Sequence, residues 1–127
     1  MVTIKGVAHV RVFVHPDKWD ASLSFYGKTL GLKCVDRESG IFRLPDGVTI
    51  GVERVAPADP EGKDLVGRLV AVSFAVANVK GTHRQLEAKG VQFHGPPEKQ
   101  PWGGALAFFH DAGGNTLTLV EYPKSKR

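Results

Sequence analysis

His9 and Arg11 offer the clearest chemistry in the sequence. They lie two positions apart in a segment with valine at positions 10, 12 and 14, so both side chains are predicted on one face of a β-strand. A histidine can titrate near neutral pH and act as a base or bind a metal, and the forked guanidinium of arginine suits a carboxylate or phosphate. The ordinary alternatives are a hydrogen-bonded lining histidine and a salt bridge from Arg11 to Glu53.

A metal site would need further ligands, and Glu53 is the best-placed candidate. It belongs to a predicted strand at residues 48–55 and either meets His9 or lies at the rim as a surface carboxylate. His110 is expected at the rim of the pocket. Surface or packing roles are expected for the other three histidines, which are His15, His83 and His94. The single cysteine, Cys34, excludes an internal disulfide framework and a cysteine-based zinc site.

Aromatic side chains could add flat surfaces for a planar ligand. Trp102 stands between a proline and two glycines, which predicts a loop rather than a packed element. Three other aromatic residues are open to either a pocket or a core position: Phe13, Phe109 and Tyr122. Arg43 lies in a predicted strand and has the same two interpretations as Arg11, namely an anion-binding group or a salt-bridge partner.

The first half of the chain has the predicted order β-α-β-β-β. Alternating apolar residues indicate a strand at residues 4–14, and a proline-containing turn then starts a helix that ends at Gly31. The buried face of that helix is predicted from apolar residues spaced four, three and four apart: Trp19, Leu23, Tyr26 and Leu30. Three short strands are expected to follow, at residues 32–36, 41–44 and 48–55.

The second half repeats this order after residues 56–67, which are rich in proline and glycine and are predicted to be a linker. A strand at residues 68–76 precedes a helix that Asn78 caps and Gly90 ends. The remaining strands are predicted at residues 91–94, 105–110 and 116–122. The chain is therefore predicted to be one domain (1–127) of two modules, residues 4–55 and 68–122, with a tail at 123–127.

Four stretches give the sequence a family resemblance: residues 7–14 (VAHVRVFV), 24–32 (SFYGKTLGL), 74–79 (FAVANV) and 108–115 (FFHDAGGN). In this order they resemble the vicinal oxygen chelate superfamily, which includes glyoxalase I, extradiol dioxygenases, methylmalonyl-CoA epimerase, fosfomycin-modifying enzymes and bleomycin-resistance proteins. The resemblance implies an α+β fold of two βαβββ modules. In this fold the two modules are expected to form an open, curved mixed sheet with a concave pocket and with helices on the outer face.

The same resemblance implies where metal ligands would stand. The enzymes of this family carry ligands early in the first strand and in the last strand of each half, facing the concavity. His9 matches the first of these positions, whereas its counterpart in the second half is Ala71, and the last-strand positions hold Gly51 and Thr118. One ligand of four is retained, and Ser73 and Thr118 are expected to line the pocket as polar residues instead.

Composition excludes several classes of protein. Of 127 residues, 42% are hydrophobic and 24% charged, which is typical of a globular domain, and no apolar run is long enough for a membrane span. Three of the basic residues behind the net charge of +4 lie in the tail (Lys124, Lys126 and Arg127), so the body carries no basic stripe typical of nucleic-acid binding. With no secretory signal at the N-terminus, a cytoplasmic location is expected.

The sequence thus predicts a small-molecule-binding protein, metal-free and homodimeric, that holds an aromatic or anionic ligand through His9, Arg11, Phe13, Arg43, Ser73, Trp102 and Thr118. The alternative is a metalloenzyme that resembles lactoylglutathione lyase or an extradiol dioxygenase. Such an enzyme would bind Ni, Zn, Fe, Mn or Co through a rearranged ligand set that includes His9 and Glu53.

Overall fold

The structure, a computed structural model, describes residues 2–124 and divides into two compact units, Met1–Val66 (unit 1) and Gly67–Arg127 (unit 2). The strands of unit 1 are β1 (Val10–Val14), β2 (Lys33–Asp36), β3 (Ile41–Arg43) and β4 (Thr49–Arg54). Its helices are α1 (Trp19–Ser24), which lies between a 3-10 turn at Pro16–Lys18 and a π-helical turn at Phe25–Thr29, and α2 (Pro60–Asp64). The sheet order is β1-β4-β3-β2, with β1 and β4 parallel.

Unit 2 repeats this arrangement. Its elements are β5 (Leu69–Ala75), α3 (Val79–Ala88), β6 (Glu98–Lys99), β7 (Ala105–His110) and β8 (Thr116–Glu121), and its sheet order is β5-β8-β7-β6. Val12 pairs with Val52 in unit 1, and Phe74 pairs with Leu119 in unit 2, so the first and last strands pair in parallel in both units. Each unit is therefore one βαβββ module with an open four-stranded mixed sheet.

The core of unit 1 lies between its helix and one face of its sheet. Val12 and Val14 are buried on the predicted side of β1, where the helix presents Leu23 and Tyr26. The Tyr26 ring packs 6.0 Å from the ring of Phe42 in β3. The helix ends where predicted, because Gly31 adopts a φ of 75°, a left-handed conformation that favours glycine.

The core of unit 2 is built around aromatic rings. Phe109 of β7 is fully buried, with the rings of Phe74 and Phe93 at 6.4 and 5.7 Å. His83 of α3 packs its ring 4.1 Å from Phe93, which is the packing role predicted for it. The Asn78 side chain accepts a hydrogen bond from the Gly81 N–H at 3.1 Å, so Asn78 caps α3 as predicted.

Two predictions about secondary structure are wrong. The first strand begins at Val10 and not at residue 4, because its partner β4 begins only at Thr49 and the first pair in register is Val10 with Ile50. Residues 91–94 form only an isolated bridge from Phe93 to Phe109, and the pairing with β7 resumes at Glu98 and Lys99 beyond two prolines.

The predicted linker at residues 56–67 contains a short helix, α2. This helix begins at Pro60, a residue suited to the first turn of a helix. The His15 ring Nε2 lies 3.1 Å from the Gly62 carbonyl oxygen and holds this helix against the turn after β1. Of the basic tail, Lys126 and Arg127 lie outside the described residues. No helix among residues 2–124 is long and apolar enough to cross a membrane.

Candidate functional site

Each sheet has one face that packs on helix and one that does not, and we call the second the distal face. In unit 1 the register places eight residues on it: His9, Arg11, Phe13, Ile41, Arg43, Thr49, Gly51 and Glu53. In unit 2 the corresponding face carries Ser73, Ala75, Leu106, Phe108, His110, Thr116, Thr118 and Val120. All the residues predicted to bind ligand except Trp102 therefore belong to a distal face, and Trp102 lies in the loop before β7.

His9 is held by its neighbour on β4. The Thr49 hydroxyl donates its proton to the Ala8 carbonyl oxygen at 2.8 Å and lies 2.6 Å from Nδ1 of His9. Because that hydroxyl has only one proton, it must accept the hydrogen bond from Nδ1–H of His9. In the neutral form of the ring this leaves Nε2 as the nitrogen with a lone pair available to a ligand.

Arg11 forms the salt bridge that was one of its two predicted interpretations. Its Nε and Nη2 donate to the two carboxylate oxygens of Glu53 at 2.6 and 3.0 Å, a bidentate pairing across β1 and β4. The Arg11 guanidinium holds the pKa of the Glu53 carboxyl below its usual value, although partial burial of the carboxyl opposes the shift. The same guanidinium lies over the Phe13 ring, 5.2 Å from its centroid.

Arg43 stands in a different electrostatic setting from Arg11. It lies directly opposite Lys33 in the antiparallel pairing of β2 and β3, and both side chains are exposed. Among the described residues, neither of these side chains forms an ion pair with a carboxylate. Two like charges placed opposite each other repel, so this edge of the distal face attracts an anion.

The positions that the family resemblance assigns to metal ligands do not provide a suitable donor set. In unit 1, His9 stands beside Gly51, where an added Cβ would lie 3.7 Å from the His9 Cβ, so the neighbouring family position contributes no side chain. In unit 2 the corresponding residues are Ala71 and Thr118, a methyl group and a neutral hydroxyl. Divalent metals require several histidine or carboxylate donors, and these four residues supply one.

Glu53 does not complete such a set, because its two oxygens are engaged by Arg11. Glu121 points to the other side of its sheet, as its position three residues after Thr118 predicts, and its carboxylate accepts a hydrogen bond from the Val79 N–H at the start of α3. Within residues 2–124, no group of three or more histidine, cysteine, aspartate or glutamate side chains is arranged to hold a metal ion.

The polar residues predicted in unit 2 come together. Ser73 of β5 lies opposite Thr118 of β8, and Phe108 of β7 lies opposite Thr118 on its other side. Ser73 is exposed and Thr118 is buried, so of these two residues it is Ser73 whose hydroxyl a small molecule on this face would meet.

Trp102 and Phe109 occupy different environments. Trp102 is 46% exposed on its loop, with its ring 5.8 Å from that of Tyr122, so both remain accessible aromatic surfaces. Phe109 faces the helix and is fully buried, which rules out the pocket position considered for it. Its parity within β7 explains this, because residues 105, 107 and 109 share the helix-packed face.

One feature of the distal face in unit 2 was missed by the sequence reasoning. His110 lies on this face opposite Thr116, and its ring is 4.5 Å from the ring of His94. The available signal was the alternation within β7, which places His110 on the side of Phe108. The position of His94 depends on pairing with β7, which local sequence does not specify.

Comparisons with known proteins are consistent across sequence and structure. A family model described as Glyoxalase/Bleomycin resistance protein/Dioxygenase superfamily matches residues 6–119. A member of this superfamily from Sphaerobacter thermophilus has a similar structure, with a TM-score of 0.72 and 24% identity over 93% of this chain and 98% of that one. No curated protein matched the chain.

Two further solved structures have the same fold. A glyoxylase/bleomycin resistance protein/dioxygenase domain from Frankia has a TM-score of 0.69 and 23% identity, covering 94% of this chain and 99% of that one. TnmS3, an antibiotic binding protein from Streptomyces, has a TM-score of 0.69 and 20% identity, covering 94% of this chain and 99% of that one.

Proposed function

Because the chain belongs to the glyoxalase/bleomycin resistance protein/dioxygenase superfamily, we propose that it binds a small aromatic or anionic molecule on the distal face of unit 1, without a metal. The observation that carries this proposal is the exposed cationic pair of Lys33 and Arg43, which among the described residues has no carboxylate partner. A ligand carboxylate placed between them would relieve their repulsion and accept charge-assisted hydrogen bonds.

Other groups on this face suit the same ligand. His9 has an Nε2 lone pair that can accept a hydrogen bond from a hydroxyl or N–H group of a ligand. Phe13 presents a half-buried ring on the same face of unit 1. The available donors argue against metal chemistry. Among the four positions where the family's enzymes carry ligands, only His9 is a metal-binding type of residue, and both carboxylate oxygens of Glu53 accept hydrogen bonds from Arg11.

The comparison with TnmS3 supports a binding role for this fold. That protein is an antibiotic binding protein with 20% identity to this chain, so it lends support to the class of function and not to any particular ligand.

Isothermal titration with naphthoate, and with its neutral counterpart naphthamide, tests the proposal. Naphthoate should bind more tightly than naphthamide. The variant Arg43→Ala should weaken naphthoate binding roughly tenfold, the low end expected when one hydrogen bond to a charged group is lost on an exposed face. Lys33→Ala should weaken it by a smaller factor, because an ammonium contributes a point charge without the bidentate fork.

The matched control is Arg84→Ala, which removes the same charge from an exposed position on α3 of unit 2. It should leave naphthoate binding unchanged. Equal losses in Arg43→Ala and Arg84→Ala would show that only net charge matters, and equal binding of naphthoate and naphthamide would show that the cationic pair does not select the ligand.

We propose also that the protein is a homodimer. The segment before β1 exposes large apolar side chains, at 87% for Val2, 83% for Ile4 and 79% for Val7, and a second copy would remove such surface from water. Light scattering should give about twice the 13.7 kDa of one chain, and a mass of one chain at all concentrations would contradict this.

A further inference from the structure

His94 and His110 are paired by the backbone of unit 2, and the proposed function makes no use of them. The N–H of His94 donates to the Phe108 carbonyl oxygen at 2.9 Å, and the N–H of His110 donates to the Gln92 carbonyl oxygen at 3.0 Å. These two hydrogen bonds fix the chain before Gly95 against β7. The two imidazole rings consequently lie 4.5 Å apart, at an angle of 47° to each other.

From this geometry we propose that His94 and His110 form a two-histidine site for a divalent transition ion, Cu²⁺ or Ni²⁺. With metal–nitrogen bonds of about 2.0 Å, two imidazoles bound at about 90° to each other have ring centroids roughly 4.5 Å apart. That is the separation observed here. Adjacent positions at a right angle belong to the tetragonal coordination that Cu²⁺ and Ni²⁺ prefer.

Among residues 2–124, hydrogen bonds within the protein leave ring nitrogens of both histidines available to an ion. Nδ1 of His110 lies 3.4 Å from the Thr116 hydroxyl oxygen, the kind of outer contact that orients a metal-binding imidazole and leaves its Nε2 for the ion. Within residues 2–124, neither ring nitrogen of His94 makes a hydrogen bond, so its lone pair has no competing donor among the described residues.

Space for further ligands lies next to His94. A cleft of about 50 Å³ is lined by His94, Glu98, Leu106 and Phe108, with Gly95, Pro96 and Ala107. A water needs roughly 10–15 Å³ of such space, so the cleft holds a few waters as the remaining ligands. The Glu98 carboxylate at its wall favours a cation there.

Titration of untagged, chelator-treated full-length protein with Cu²⁺ tests the site, followed by visible absorption and by nitrogen hyperfine splitting in electron paramagnetic resonance. The wild type should bind one more Cu²⁺ ion per chain than the double variant His94→Ala/His110→Ala, and its spectrum should show splitting from two nitrogen ligands. Each single variant should weaken Cu²⁺ binding at least tenfold, and Zn²⁺ should bind less tightly than Cu²⁺.

His9→Ala is the matched control, because it removes an exposed histidine from the other unit. It should leave Cu²⁺ binding unchanged, and Thr116→Val should weaken it only a few-fold. His94 is exposed, so His94→Ala decides the question even if His110→Ala fails to fold. A double variant that binds Cu²⁺ as the wild type does would overturn the site, and so would loss of the ion in His9→Ala; neither result bears on naphthoate binding at Arg43.

Discussion

Replacing Gly40 by alanine should destabilise the protein far more than the same change at Gly31. Both glycines have left-handed backbones, with φ of 70° and 75°, so an alanine costs about 1 kcal/mol of backbone strain at either position. At Gly40 the added Cβ would also lie 2.6 Å from the Val52 carbonyl oxygen and 2.7 Å from Cη2 of Trp19, whereas at Gly31 it would meet nothing within 4 Å.

The difference between the two sites follows from what can move. The Val52 oxygen belongs to the backbone of β4, and the Trp19 ring is covered by Arg54 at 4.2 Å, so neither yields freely. Overpacking of this kind costs about 1–3 kcal/mol, which brings the expected loss for Gly40→Ala to roughly 2–4 kcal/mol against about 1 kcal/mol for Gly31→Ala. Because β4 carries Gly51 and Glu53, displacement there also disturbs the distal face.

Urea denaturation followed by far-ultraviolet circular dichroism measures both changes on the same scale. Gly40→Ala should lower the midpoint clearly more than Gly31→Ala, with the same dependence of the unfolding free energy on urea. Equal midpoints for the two variants would refute the steric reasoning, since they would leave backbone strain as the whole effect.

Further predictions concern Glu53 and the turn after β7. Glu53→Gln should cost only about 0–1 kcal/mol, because the ion pair with Arg11 is exposed. The pKa of Glu53 is lowered in the folded state, so the ion pair stabilises the protein above the ordinary glutamate pKa, and this stabilisation is lost as pH falls through the lowered value. Glu53→Gln should therefore lack this loss of stability at acid pH when unfolding is measured at several pH values. Asn115→Ala should cost about 2–4 kcal/mol by urea denaturation, because it leaves the Gly67 N–H and one Asp111 oxygen without the buried amide. Asn115→Asp retains the acceptor for Gly67 but brings a second carboxylate to Asp111, so its stability should fall as pH rises through the acidic range; a loss independent of pH would contradict this.

Local patterns in the sequence predicted most of the fold because they report burial directly. The alternation at Val12 and Val14 identified the buried face of β1, and the spacing of Leu23 and Tyr26 identified the inner face of the helix. The ends of the strands could not be predicted in this way, because a strand ends where its partner ends. Nothing in residues 4–9 shows that β4 begins too late to pair with them.

For the candidate site, the sequence predicted which side chains share a face of the sheet but not which of them contact each other. Alternation placed Arg11 and Glu53 on the same side, yet the choice between an anion site and a salt bridge depended on the parallel register, which sets Phe13 opposite Glu53 and makes Arg11 a diagonal neighbour. His94 was expected near a loop because the sequence does not show which strand it pairs with. Only its backbone pairing with β7 brings it to His110.

Binding of naphthoate before and after exhaustive treatment with a chelator distinguishes binding by cationic side chains from binding through a metal. The affinity should be the same in both samples and should fall roughly tenfold in Arg43→Ala, because cationic side chains and not a metal hold the carboxylate. Loss of binding on chelation, with recovery on adding Ni²⁺, Zn²⁺, Fe²⁺, Mn²⁺ or Co²⁺ to the wild type but not to His9→Ala, would contradict it and establish a metal-dependent site.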